Sequence, residues 1–319
     1  MLAYLTFLSV ALLQVVSTAE QQEPNFEVFT VVVSFFSGRD NPEFTVKGNR
    51  TLKARMVEAR DNGWFGLPAQ MPARLGYRGI LVEDKSTKIA GLLVGPKSAK
   101  LQLELLRRVQ LKKGDRKEIE DDINSGKIDF EKAPIFEVRG KRYAPTYNPA
   151  VWNALEPAYR RQRCNNCYNY ANRRATDNFA QPGFGGGQEY TVDANGAAIA
   201  NPYTAANLRD AALRDGLLQL NPHPAPADPV PGAPNHPSRH LVALVVKPGL
   251  QDGDHHWYRL DNNGLWSHKP GETRVTQTDN GGNPIADPRV SNNGPYQFAF
   301  FMISDPLTVH INGDSPCPA

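Results

Sequence analysis

Residues Gly79 to Leu111, GILVEDKSTKIAGLLVGPKSAKLQLELLRRVQL, decide the fold class. Two apolar runs, Gly79 to Glu83 and Ile89 to Val94, have the length and branched side chains of strands. The polar stretch Asp84 to Lys88 between them is the loop of a hairpin. After Gly95-Pro96 the period changes. From Ser98 to Leu111 the spacing puts Leu101, Leu105 and Val109 on one helical face, with Leu103 and Leu106 beside them. A hairpin followed at once by an amphipathic helix predicts an α+β fold, with an antiparallel sheet carrying helices on one face.

The flanking sequence extends this unit. Phe26 to Phe36 is β-branched and aromatic, a first strand ending at Ser37-Gly38, and Phe44 to Val46 continues it. Thr51 to Asn62 reads as a helix stopped by Gly63. Asp115 is placed to cap another helix running to Ser125 and closed by Gly126. Residues 20–142 are therefore expected to form one α+β domain.

From Tyr143 the composition shifts to Pro, Asn, Gly and aromatics, which predicts a second α+β domain over 143–319, β-rich and carrying a helix with cysteines. Asn153 to Arg174 is helical in pattern, with an interruption near Cys164. Phe184 to Gly187 reads as a flexible turn and Thr204 to Leu218 as a helix. Residues 221–237 hold seven prolines and are expected to be an extended surface loop. Leu241 to Val246 is a buried strand in pattern. His256 to Leu260 and Leu265 to His268 flank Asp261-Asn262-Asn263-Gly264, a hairpin signal. With a four-residue loop, Leu260 faces Leu265 and Trp257 lies near Trp266. His255, Trp257, Trp266 and His268 then share one face, with His256 on the other. Thr273 to Thr278 and Tyr296 to Met302 complete the strand set.

Met1 to Ala19 is an uncharged apolar segment ending in Ser17-Thr18-Ala19, the form of a secretory signal peptide cleaved before Glu20. A secreted, extracellular protein is expected, with no membrane span in the mature chain. The net charge of +3 lacks the concentrated basic face of a nucleic-acid binder. The basic stretch Lys97 to Lys117 reads as a solvated helix face, with a polyanion-binding surface as the alternative. Asn49-Arg50-Thr51 is a glycosylation sequon at Asn49. No phosphate-cradling glycine loop, calcium loop or nucleophile elbow occurs, so no cofactor or metal is expected.

Three cysteines, Cys164, Cys167 and Cys317, are too few for a disulfide scaffold. All three are disulfide candidates, and the odd count leaves one thiol free or paired with another chain. Cys167 opens Tyr168-Asn169-Tyr170-Ala171, a run able to start a helix, whose dipole would favour thiolate. His255 and His256 follow some ninety residues later on a strand, and His268 lies on the next. A cysteine on a helix facing a histidine on a strand is a nucleophile with its general base, so Cys167, His255, His256 and His268 are the candidate catalytic residues. The other readings are structural cysteines and half of a zinc site completed by these histidines.

The stretch Asn166-Cys167-Tyr168-Asn169-Tyr170-Ala171 with His256-Trp257-Tyr258 resembles the CHAP-type amidases, papain-like cysteine hydrolases. That resemblance implies a thiol hydrolase. Bulky Trp257 and Tyr258 stand where that family has small apolar residues after the histidine. A second resemblance spans the chain: Phe35-Phe36-Ser37-Gly38-Arg39-Asp40-Asn41-Pro42, Leu75-Gly76-Tyr77-Arg78-Gly79, and Trp257-Tyr258-Arg259 with Trp266-Ser267-His268-Lys269-Pro270-Gly271. These words resemble a secreted family of insoluble mollusc shell organic-matrix proteins. They imply a glycoprotein of a calcified matrix, concerned with biomineralization, whose partners are matrix polymers or proteins. The chain lacks the acidic runs of a mineral nucleator. The expected function is thus an extracellular matrix component, with the thiol hydrolase as the alternative.

Overall fold

In the computed structural model the described residues are 28–66, 70–84, 89–130, 144–153, 159–220, 224, 228, 230–231, 234, 238–250 and 252–315. The expected signal peptide, the boundary at 142/143, Cys317 and most of the Pro-rich stretch lie outside them.

The first sheet contains β1 (Val28–Ser34), β2 (Glu43–Lys47), β3 (Phe65–Gly66), β4 (Gly79–Asp84) and β5 (Ile89–Leu93). Their order is β2-β1-β4-β5-β3, with every pairing antiparallel. Alternation sends Phe29, Val31 and Val33 of β1 and Ile80 and Val82 of β4 into one core. Three helices close that core: α1 (Arg50–Asp61) through Leu52, Met56 and Ala59, α2 (Ala99–Arg108) through Leu101, Leu105 and Leu106, and α3 (Lys113–Ser125) through Ile119 and Ile123. Asn49 caps α1, its Oδ1 accepting from the Leu52 N–H at 2.9 Å, and Gly126 ends α3 in the left-handed conformation at φ 64°. Two local expectations change. Helix α2 ends at Arg108, because Val109 turns to extended backbone and Arg116 donates to the carbonyls of Leu106 and Val109. Lys112, not Asp115, occupies the cap position of α3, and the Asp115 carboxylate instead lies 3.6 Å from Lys247 of the second sheet.

The second sheet follows four helices, α4 (Pro149–Asn153), α5 (Tyr159–Cys164), α6 (Cys167–Ala171) and α7 (Ala205–Arg214). Its strands are β6 (Leu218–Gln219), β7 (His240–Lys247), β8 (Asp254–Leu260), β9 (Trp266–His268) and β10 (Gln297–Ser304), in the antiparallel order β6-β10-β7-β8-β9. The central strand β7 is buried at every position. Val242, Leu244 and Val246 pack with Trp257 against residues of α6 and α7, while Leu241, Ala243 and Val245 pack with Tyr258, Trp266 and Phe301 on the other face. Leu75 of the first unit joins that second cluster. The protein is thus α+β.

The β8–β9 register differs from the sequence expectation. Leu260 pairs with Trp266, because Gly264 takes a left-handed conformation (φ 84°) and adds one residue to the loop. A one-residue slip moves every side chain of a strand to the other face. Trp257 and Trp266 therefore lie in different clusters, and His256 and His268 share a face. The stretch Thr273 to Thr278 forms only single bridges, His268 with Thr276 and Thr278 with Pro284, and no strand.

Candidate functional site

Cys167 is the first residue of α6, where the sequence places it. Asn166 caps the helix with Oδ1 accepting from the N–H groups of Tyr168 (3.0 Å) and Asn169 (3.1 Å), and the Asn169 side chain returns the bond to the Asn166 N–H. Helix α6 packs on β8, so helix and strand face each other as expected. Reactivity is where the expectation fails. The thiol is fully buried, and burial pushes its pKa up, with the Asp254 charge adding to the rise. In a helix of five residues the dipole is outweighed by desolvation. The Sγ meets backbone groups, the His255 carbonyl at 4.0 Å among them, and no imidazole nitrogen among the described residues bonds it.

The histidines divide between the two faces of the sheet. His255 lies edge-on to Tyr190 with ring centroids 5.4 Å apart. Its Nε2 is 3.5 Å from Gln181 Oε1, while Nδ1 has no hydrogen-bond partner among the described residues. His256 and His268 form their own pair on the opposite face. His268 Nε2 donates to the Thr278 carbonyl at 2.9 Å, so its Nδ1 accepts from His256 Nε2 at 2.9 Å. Burial holds both rings neutral, His268 at about 4 and His256 well below its ordinary value. His256 Nδ1 is left without a partner among the described residues, so it does not bond Cys167. The structure thus brings His256 and His268 together and leaves the thiol outside that pair. Cys164 is disulfide-bonded and Cys167 is free, so the Cys-x-x-Cys pair is neither a local disulfide nor a zinc half-site. Asn49 is exposed at the head of α1, with Oδ1 engaged by the cap.

A densely bonded polar junction lies between the two sheets. The Asp254 carboxylate accepts from the Ser37 N–H at 2.6 Å, the Gly38 N–H at 3.0 Å, the Ser37 hydroxyl at 3.2 Å and the Tyr296 hydroxyl. The Gly38 carbonyl accepts from Gln181 (3.0 Å) and Asn166 (3.2 Å), tying the same loop to the start of α6. Only glycine fits at 38, since a Cβ would stand 2.3 Å from the His255 carbonyl oxygen. Asn41 Oδ1 holds the loop shut by accepting from the Phe35 and Phe36 N–H groups, both at 2.8 Å. Arg78 is fully buried, donating to Ser34 Oγ at 3.2 Å and to the Phe36 carbonyl. A Cβ on Gly271 would be 3.1 Å from that same carbonyl. Lys269 is also buried, its ammonium satisfied by the carbonyls of Gln162, Asn165 and Gly271. The three distinctive sequence words, distant along the chain, converge here.

The chain is 43% identical over 150 residues to insoluble matrix shell protein 1 of Ruditapes philippinarum, an alignment that covers 47% of this chain and 82% of that protein. The chain belongs to the insoluble matrix shell protein family. No family model and no solved structure matches it. The CHAP-type resemblance therefore stands on its short motif alone. In this insoluble matrix shell protein fold, sequence reasoning missed Asp254. The available signal was the Ser37-Gly38 pair, whose N–H groups in a tight loop need an acceptor.

Proposed function

We propose that the chain is a secreted component of the organic matrix of a calcified shell, a framework protein that associates with other matrix polymers or proteins. The observation that carries this reading is the 43% identity to a protein named for the insoluble shell matrix. The geometry supports it. The words Ser37-Gly38, Arg78 and Lys269-Pro270-Gly271 go into a buried junction rather than an open cleft, as a scaffold requires. The alternative, a thiol hydrolase using Cys167, would need an imidazole nitrogen at the thiol and an open approach to it. Here the thiol is sealed and meets backbone groups.

Immunogold labelling of shell sections with an antibody to this chain tests the proposal. Label concentrated in the organic layers is expected. Label confined to cells, or recombinant protein that cleaves amide bonds and stops doing so on Cys167→Ala, would replace it with the hydrolase.

A further inference from the structure

We propose that the cleft between α4, α5 and the turn after α6 binds an anionic saccharide, one bearing sulfate ester groups on its sugar rings. The cleft encloses about 630 Å³. Arg161, Arg173, Arg174 and Arg259 line it together with Trp152, and no carboxylate among the described residues does. Arg259 is locked in place, its Nε donating to Asp261 at 2.9 Å and its Nη2 to the Tyr170 hydroxyl at 2.8 Å. The other three guanidinium groups have no anionic partner among the described residues. Arg161 stands 5.9 Å over the Trp152 ring, and Arg174 donates to the Pro306 carbonyl at 3.0 Å. Arg173 holds a left-handed backbone at φ 57°, a conformation disfavoured for a residue with a Cβ. The side chain is exposed, and its pKa is lowered by partial desolvation and then by the charge of Arg259, so positive charge is crowded here.

A concave wall in which three of four guanidinium groups lack a carboxylate partner among the described residues concentrates positive potential and matches the planar, bidentate geometry of an oxyanion. The choice of ligand class follows from shape and from the neutral lining. The volume lies within the range of about 300–1,000 Å³ that holds a small ligand, so one or two sulfated rings would sit in the cleft and the rest of an oligosaccharide would run out of it. Trp152 supplies a ring surface, and Asn148 and Thr176 supply neutral hydrogen-bonding groups for sugar hydroxyls. This inference rests on the cleft alone and stands or falls independently of the matrix reading.

Calorimetric titration of the full chain at low ionic strength tests it. The probes are a heparin-derived hexasaccharide, its desulfated counterpart, inorganic sulfate and hexa-aspartate. The sulfated hexasaccharide should bind best and weaken as salt screens the charges. Arg161→Ala combined with Arg173→Asn should weaken it about tenfold or more, since charge-assisted bonds are lost while Asn tolerates the left-handed backbone. Lys100→Ala with Arg107→Ala, on the exposed face of α2, should leave binding unchanged. If the cleft variant melts early, Arg174→Gln serves in its place. Four results would each overturn the proposal: no binding of the sulfated hexasaccharide, equal loss in both variants, equal affinity for inorganic sulfate, or preference for hexa-aspartate.

Discussion

At the scale of single residues, burial decides the chemistry. Cys167 begins a capped helix, and its fully buried thiol is nevertheless raised in pKa. Native protein should resist iodoacetamide at Cys167 and take up label only once unfolded. Peptide mass spectrometry in native buffer would reveal the opposite, a fast-labelling thiol, if the site were open. The histidines follow the same rule. Burial lowers His240 to about 3 and His255 and His268 to about 4, below an unfolded value near 6.5. Between those limits the unfolded chain binds more protons than the native one, so stability rises with pH through the window. Their contribution is complete above about pH 6.5 and is lost as pH falls toward 4 and below. Each ring removes up to about 1.4 kcal/mol for every pH unit over which only the unfolded chain carries its proton. Asp215, raised by burial to about 6, works in the opposite sense between roughly pH 4 and 6, and so do Asp115, Asp122, Glu189, Asp261 and Glu272, whose carboxyls burial also raises. The histidine share is isolated by comparison: the change in melting temperature from pH 6.5 to pH 4 should be less unfavourable in His240→Gln than in the unaltered protein. Identical pH profiles for the two proteins would contradict the buried, neutral assignment of that imidazole.

At the scale of elements, alternation and helical period made most of the fold legible. The pattern of Val28–Ser34, the antiparallel β4–β5 pair, the apolar stripe of α2 and the buried run of β7 all form where their patterns predict. The misses come from features with no period. The β8–β9 register turned on a single left-handed Gly264, which neither β propensity nor the Asp-Asn-Asn-Gly signal separates from a four-residue loop. The interruption expected near Cys164 is present, with α5 ending at Cys164 and α6 beginning at Cys167, because the Asn166 side chain competes with the backbone and restarts the chain. Asn166 does more than cap. It also donates to the carbonyls of Ala180 (2.8 Å) and Gly38. Asn166→Ala should cost about 2 kcal/mol or more, a cap together with buried carbonyls left unpaired. Denaturant unfolding with an unchanged midpoint would show that water replaces those bonds.

At the scale of the whole molecule, the two sheets are joined by polar groups that the sequence scatters over more than two hundred positions, which is why the junction was not legible. Residue words advertised that something was fixed, but not which carboxylate met which loop. Asp254→Ala strips the Ser37 and Gly38 N–H groups and the Tyr296 hydroxyl of their acceptor in a buried setting. The expected loss is about 3 kcal/mol or more, partly restored by Asp254→Asn, which keeps one acceptor oxygen. Urea unfolding of the two variants would find them equally stable if the junction were wet and loose. The neutral imidazoles carry a practical consequence for anyone preparing this protein from mineralised tissue. Decalcification with acetic acid reaches the pH at which His255 and His268 are forced to charge, so the acid that strips mineral also removes the stability these rings supply. Chelation with EDTA at neutral pH removes the mineral with the rings uncharged, and so keeps that stability.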